Sequence, residues 1–245
     1  MSEPTTSEPT VGEPTASEPS VSGRRVVIAG ASSKSGVAVA SALSEAGATV
    51  IAVGTNQERL DALRERVPAA KTLVCDLSDA TAVAHLAKRI HTTLGMVDGL
   101  IHLVGGFRAG GGIAGQTDQD WAFLDRAFAT LRITTRAFYY DLVASPSGRL
   151  AIVSPTVVQH PLAGGANYAA AKAAAEAWTL AVAQGFRKAE SHAAAAIFVV
   201  KELAGLEPAL AHRVVDLWKV PARELNGTRI RIEAQPSDST ERQGP

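Results

Sequence analysis

The stretch Val26-Val27-Ile28-Ala29-Gly30-Ala31-Ser32-Ser33-Lys34-Ser35-Gly36 decides the architecture of this 245-residue chain. Its first four residues are apolar without polar interruption, the pattern of a strand buried on both faces. The segment that follows, Val37 to Ala46, has helical composition. A strand that turns through glycines into a helix places unpaired backbone N–H groups and the positive end of the helix dipole at one point. Such a point binds anions, and the pyrophosphate of a dinucleotide above all. Gly30, Ser32, Ser33, Lys34, Ser35 and Gly36 are therefore the residues expected to touch a nucleotide.

The same alternation runs along the chain. Strands are expected near Val26–Ala29, Thr49–Val53, Thr72–Cys75, Leu100–Val104, Leu150–Val153, Ala194–Val200 and Thr228–Ile232. Helices are expected near Val37–Ala46, Gln57–Val67, Ala80–Leu94, Gln119–Leu142, Tyr168–Lys188 and Ala209–Leu217. Apolar strand runs in βαβ order, joined by right-handed crossovers, make a single α/β domain. It is doubly wound, an about seven-stranded parallel sheet with helices on both faces. Residues 1–22 repeat Ser-Glu-Pro-Thr with small variations, a composition too poor in apolar side chains to order itself, and read as a disordered acidic tail. The domain then spans 23–234, and 235–245 form a second polar tail.

The formal net charge is zero, which argues against a nucleic-acid partner. The single Cys75 cannot form an internal disulfide and reads as a buried, inert thiol in a reducing compartment, the cytoplasm. The chain has no apolar run long enough to span a bilayer and no signal-peptide pattern at its start. The Ala-rich run after Tyr168 carries Lys172, Glu176 and Gln184, so it reads as the helix of a soluble protein.

Tyr168 and Lys172 stand four residues apart in Asn167-Tyr168-Ala169-Ala170-Ala171-Lys172, on one helical face. A phenol beside a fixed ammonium ionises more easily and can trade a proton with an alcohol or carbonyl oxygen. Together with the glycine turn, Asp76-Leu77 after the third strand, Gly105 after the fourth and Ser154 after the fifth, this pair resembles the short-chain dehydrogenase/reductase family from Arg24 to about Ile232.

The resemblance implies a Rossmann-like fold and hydride transfer between a nicotinamide cofactor and a carbonyl or secondary alcohol. Tyr168 would be the general acid/base, Lys172 would lower its pKa and hold the nicotinamide ribose, and Ser154 would orient the substrate oxygen. Asp76 and Leu77 would meet the adenine, and Val104 and Gly105 the ribose. The end of the second strand has Gly54-Thr55-Asn56 and no acid, with Lys34 and Arg59 nearby. A hydroxyl, an amide and cations suit a 2′-phosphate, so NADP(H) is favoured over NAD(H). A homodimer or homotetramer is implied as well. No metal is expected.

The fit has departures. The middle glycine of the family's turn is Lys34, which must either adopt a regular conformation or push the phosphates outward. The position thirteen before Tyr168 is Pro155, with Ser154 and Thr156 on either side. Thr156 is the alternative to Ser154. His102 stands at a strand end, where core packing is its expected role, and Thr130 stands in place of the family's helix asparagine. The loop Gly105-Gly106-Phe107-Arg108-Ala109-Gly110-Gly111-Gly112 reads as a mobile flap whose Phe107 and Arg108 contact substrate. A non-catalytic dinucleotide-binding sensor, and an epimerase or dehydratase using the same Tyr/Lys pair, are the alternative functions.

Overall fold

Seven strands alternate with helices along residues 20–233, the part of the chain described by the structure, a computed structural model. The strands are β1 (Arg25–Ala29), β2 (Thr49–Gly54), β3 (Lys71–Val74), β4 (Gly99–His102), β5 (Arg149–Pro155), β6 (Ala194–Val200) and β7 (Thr228–Arg231). They form one sheet in the order β3-β2-β1-β4-β5-β6-β7, and every neighbouring pair is parallel. The helices are α1 (Lys34–Glu45), α2 (Gln57–Arg66), α3 (Ala80–Thr93), α4 (Asp118–Ala144), α5 (Ala166–Lys188), α6 (Glu207–Asp216) and the single turn α7 (Ala222–Leu225). Only the end of the expected N-terminal tail is described, and there Val21 is already buried against the core. The expected C-terminal tail lies outside the described residues.

Alternate residues of each strand feed two cores. Val26 and Ile28 of β1 pack with Val39 and Leu43 of α1, Leu60 and Leu63 of α2 and Leu210 of α6. Val27 and Ala29 face the other way, toward Val83 and Leu86 of α3, Phe138 of α4 and Phe186 of α5. A sheet covered on both faces leaves its strands apolar throughout, which is why they read as unbroken runs. Cys75 is buried just past β3, and burial pushes its thiol up.

The chain reverses its direction of winding between β1 and β4, and a ligand crevice opens at the carboxyl ends of strands at such a point. Gly30 ends β1 there with φ +82°, and a Cβ on it would approach the Leu103–Val104 backbone to 3.0 Å. Four helices begin on a local side-chain cap: Ser33 for α1, Asn56 for α2, Asp79 for α3 and Thr117 for α4. Helix α5 begins at Ala166, two residues before the expected start, and its cap residue Gly165 has no side chain to offer.

Candidate active site

The turn between β1 and α1 is built for a tight reversal. Ser33 Oγ donates to the Gly30 carbonyl and accepts from the Gly36 N–H, each at 3.0 Å. A Cβ on Gly36 would lie 2.3 Å from the Ala31 oxygen, so only glycine fits. Lys34 takes the first of its two options: it is the first residue of a regular helix and is exposed. The N–H groups of Lys34 and Ser35 have no acceptor within the helix, as at any helix start. Arg59, on the first turn of α2, donates from Nη2 to the Ser32 carbonyl at 3.1 Å, which brings a guanidinium to the turn; Thr55 is exposed. Asp76 is exposed, and its Oδ1 accepts from the Ser78 hydroxyl at 2.6 Å and the Ser78 N–H at 2.9 Å. Those bonds hold its carboxyl below the usual range. Leu77 beside it is buried.

Beyond the turn, a cleft of about 510 Å³ opens at the carboxyl edge of the sheet, lined by Val104, Gly105, Phe107, Ser154, Tyr168 and Lys172 among others. Its far wall is Val200 to Leu203, after β6. Lys172 Nζ donates to the Val153 carbonyl of β5 at 3.0 Å, and a Cβ on Gly105 would come within 3.4 Å of it. Burial brings this ammonium down to about 8. Burial also pushes the Tyr168 phenol up from its ordinary value. The expected lowering of that phenol by Lys172 is thus overridden by desolvation, which favours the neutral forms of both groups.

His102 is buried, as core packing requires, and also lines the cleft. Its Nε2 lies 3.0 Å from Thr130 Oγ1, and Thr130 spends its one proton on the Ala127 carbonyl at 2.7 Å. The imidazole must therefore be the donor to Thr130, which assigns the tautomer. Burial first, and the charge of Lys172 second, hold His102 neutral with a pKa of about 3.

Ser154 is fully buried, and its Oγ donates to Glu176 Oε1 at 2.5 Å. The other carboxylate oxygen of Glu176 pairs with the Arg229 guanidinium of β7. Glu176, one of the polar residues by which the run after Tyr168 reads as the helix of a soluble protein, is buried. It follows Lys172 by one helical turn, so the spacing that pairs Tyr168 with Lys172 also pointed to it. Thr156 opens a short 3-10 turn (Thr156–Val158), and its neighbour Val157 lines the cleft instead.

The glycine-rich loop after β4, expected to be a mobile flap, is held by hydrogen bonds in the conformation seen. Gly110 N–H donates to the Gly164 carbonyl at 2.8 Å, and Gln116 hydrogen-bonds both the loop and the start of α5. Cβ atoms on Gly110 or Gly115 would sit 2.2 Å and 2.5 Å from backbone atoms across the fold of the loop, so these glycines serve close packing. Phe107 is exposed and meets the Tyr168 ring edge-on at 5.1 Å. Arg108 is turned away from the cleft, 3.8 Å over the Phe123 ring and 3.7 Å from Asp120. Gln116, Glu176 and Arg229 were not singled out from the sequence.

Among the described residues no helix is long and apolar enough to cross a membrane. A profile of the short chain dehydrogenase family matches residues 24–196. A short chain dehydrogenase of Pseudocercospora fijiensis is 29% identical over 158 residues, 62% of this chain and 51% of that protein. The chain thus spans about half the length of that curated relative. A metagenomic short-chain oxidoreductase solved with NADP superposes with TM-score 0.77 at 24% identity, over 87% of this chain and 99% of that one. An NADPH-bound short chain oxidoreductase of Pseudomonas aeruginosa PAO1, described as having an atypical catalytic center, superposes with TM-score 0.74 at 22% identity, over 90% and 98%.

The neutral His102 has a consequence for stability. Its folded pKa, about 3, lies below the ordinary value of 6.5, so between those values the unfolded chain binds more protons. Stability then falls as pH drops from about 6.5 toward 3 and regains nothing from this group above that window. Urea unfolding at pH 7 and at pH 5 measures it. The loss on acidification should be smaller in His102→Gln than in the wild type; an equal loss in both would contradict the neutral assignment.

Proposed function

The chain belongs to the short chain dehydrogenase family, and we propose that it is an NADP(H)-dependent oxidoreductase interconverting a carbonyl and a secondary alcohol. The observation that carries this reading is the placement of Tyr168 and Lys172 in one cleft with Val104 and Gly105, at the carboxyl edge of the sheet. The fungal relative named a dehydrogenase and the two neighbours solved with NADP or NADPH support it.

The cofactor, when bound, supplies or accepts the hydride. The residues present fit it: the tight Gly30–Gly36 turn leaves helix-start N–H groups for a pyrophosphate, and the cleft continues from Val104 to Leu203. Lys34, Thr55 and Arg59 would hold the 2′-phosphate, Asp76 and Leu77 the adenine side, and Lys172 with Gly105 the nicotinamide ribose. In reduction Tyr168 gives its proton to the carbonyl oxygen; in oxidation it takes the alcohol proton back. Its raised pKa keeps it protonated at neutral pH, the state that reduction requires.

Ser154 orients the same oxygen on stricter terms. With its proton on Glu176 it can accept from an alcohol, and it can donate to a carbonyl only by turning away from Glu176. Phe107, which lines the cleft, would contact the substrate. Arg108 reaches an anionic group only by leaving Phe123 and Asp120. Thr156 stands by as the alternative hydroxyl.

A second reading, a dinucleotide sensor without turnover, is favoured by one observation: Pro155 stands at the family's serine position while Ser154 is tied to Glu176. We propose further that the chain works as a cytoplasmic homodimer or homotetramer. Exposed Trp121, Phe123 and Tyr140 of α4 and Leu180 of α5 support the assembly. Light scattering at micromolar concentration should give at least twice the 25.4 kDa chain mass, and a monomer would end this part of the reading.

Fluorescence titration should show tighter binding of NADPH than of NADH, with the gap narrowed in Arg59→Ala. Equal affinities in the wild type would remove the 2′-phosphate argument. In a carbonyl-reduction panel, Tyr168→Phe should lose turnover by roughly 10²–10⁴-fold with NADPH binding kept, and Ser154→Ala should lose less. A wild type that binds NADPH but reduces nothing in a broad panel would put the sensor in place of the enzyme. Near wild-type turnover in Tyr168→Phe would refute the proton donor.

A further inference from the structure

We propose that Gln116 is a positioning residue for Tyr168: its single amide ties the closure of the glycine-rich loop to the seating of the helix that carries the phenol. The kinetic part of this inference rests on the oxidoreductase reading above; the structural part does not.

The argument starts from an unmet need. The first turn of any helix has N–H groups with no acceptor inside the helix. The four preceding helices meet part of that need with the side chain of their own cap residue. Helix α5 cannot, because its cap is Gly165. The acceptor comes instead from Gln116, 51 positions earlier, whose Oε1 takes the Asn167 N–H at 3.0 Å. Asn167 immediately precedes Tyr168.

The other end of the same amide faces the loop. Gln116 Nε2 donates to the Gly112 carbonyl at 3.1 Å and to the Gly164 carbonyl at 3.1 Å, with the Ala163 carbonyl at 3.4 Å. Two backbone-linked contacts run alongside: Gly110 N–H to the Gly164 carbonyl, and Asn167 Nδ2 to the Thr117 carbonyl at 3.2 Å. An amide presents an acceptor and two donors on one rigid plane, so it can serve the helix and the loop together. Nine residues before Gln116, near the start of the same loop, Phe107 packs against the Tyr168 ring, and both rings line the cleft. If the loop lifts to admit substrate, Gln116 moves with it, and α5 loses its cap at the turn that holds the tyrosine. When the loop closes, the cap returns. The proton donor is then seated only under a closed cleft.

The two ends of the amide can be separated chemically. Gln116→Glu above pH 6 keeps the acceptor for Asn167 N–H and turns the donors into lone pairs facing carbonyls. Gln116→Leu keeps the bulk and removes both functions. Hydrogen exchange followed by mass spectrometry reads the structural part on the free protein. In Gln116→Leu, amides at 166–169 and at 106–115 should both exchange about fivefold faster or more, the loss expected for one hydrogen bond. In Gln116→Glu, only the loop should speed up, with 166–169 as in the wild type.

With a reduced carbonyl substrate, Gln116→Leu should lower kcat about tenfold with NADPH affinity unchanged, and Gln116→Glu should raise KM with kcat near wild type. Unchanged exchange at 166–169 in Gln116→Leu would overturn the inference, as would the same pattern in both variants, since a residue that only packs would not distinguish them. If Gln116→Leu does not fold, loop exchange in Gln116→Glu decides: an unaltered loop refutes the coupling. A wild type without any turnover refutes the proposed reaction, while the exchange contrast still supports or overturns the clasp.

Discussion

The hydrogen bond from Lys172 Nζ to the Val153 carbonyl sets the terms for the whole site. Removing an ammonium from water is costly, and a carbonyl dipole offsets only part of that cost. The residue therefore constrains everything near it. Helix α5 must bring Lys172 to the end of β5, and the chain after β4 must pass it at Gly105, where a side chain would crowd the ammonium. His102, at the end of β4, must stay neutral, because a second buried cation there has no counter-charge. The same desolvation acts on the pair in opposite directions, bringing Lys172 down to about 8 and moving the phenol up. Near neutral pH the tyrosine thus holds its proton, and the ammonium is the group closer to releasing one.

A second buried charge lies one helical turn further along α5 and is handled differently. Glu176 is matched on both sides, by the Ser154 hydroxyl of β5 and the Arg229 guanidinium of β7. Removal of either partner would leave a buried carboxylate partly unpaired, which costs more than the pair contributes. This arrangement fastens α5 across the β5–β6–β7 half of the sheet, while Lys172 fastens it to the β5 end. It also takes up the proton of the one serine on the cleft wall. Under the proposed function, substrate orientation would compete with this structural bond for a single hydroxyl, which in the structure is held by Glu176.

The fold was readable because its signals are local. Short unbroken apolar runs such as Val26–Ala29 and Ala194–Val200, in alternation with helical segments, read as strands covered on both faces, and capping residues such as Asn56 and Asp79 sit within three residues of what they cap. The seven strands and six of the helices lie within about three residues of their expected bounds. The four-residue α7 was too short for periodicity to reveal. Tyr168, Lys172 and the Gly30–Gly36 turn were picked out for the same reason, and the structure brings Tyr168 and Lys172 into one cleft. Gln116, Glu176 and Arg229 were not picked out, because their partners are 51, 22 and 53 positions away. Nothing in a sequence states such distances; Glu176 alone gave a local hint, through its spacing from Lys172.

The loop after β4 shows how one composition supports two opposite physical readings. Glycine lowers the energetic cost of unusual conformations, which suggests mobility, and it also has no Cβ, which permits backbone to lie on backbone. Gly110 and Gly115 are used in the second way, since any side chain would collide with the strand of loop opposite. In the structure the loop is folded onto the turn at Ala163–Gly165 through the Gly110 N–H to Gly164 carbonyl bond. For the proposed coupling through Gln116, the distinction between a fluctuating flap and a packed loop decides the outcome. A freely fluctuating flap would leave the first turn of α5 capped for a variable fraction of the time, with the tyrosine's position averaged over the motion. A loop that closes into this packed arrangement, joined to that turn by the Gln116 amide, would instead give the phenol one definite seat under a closed cleft.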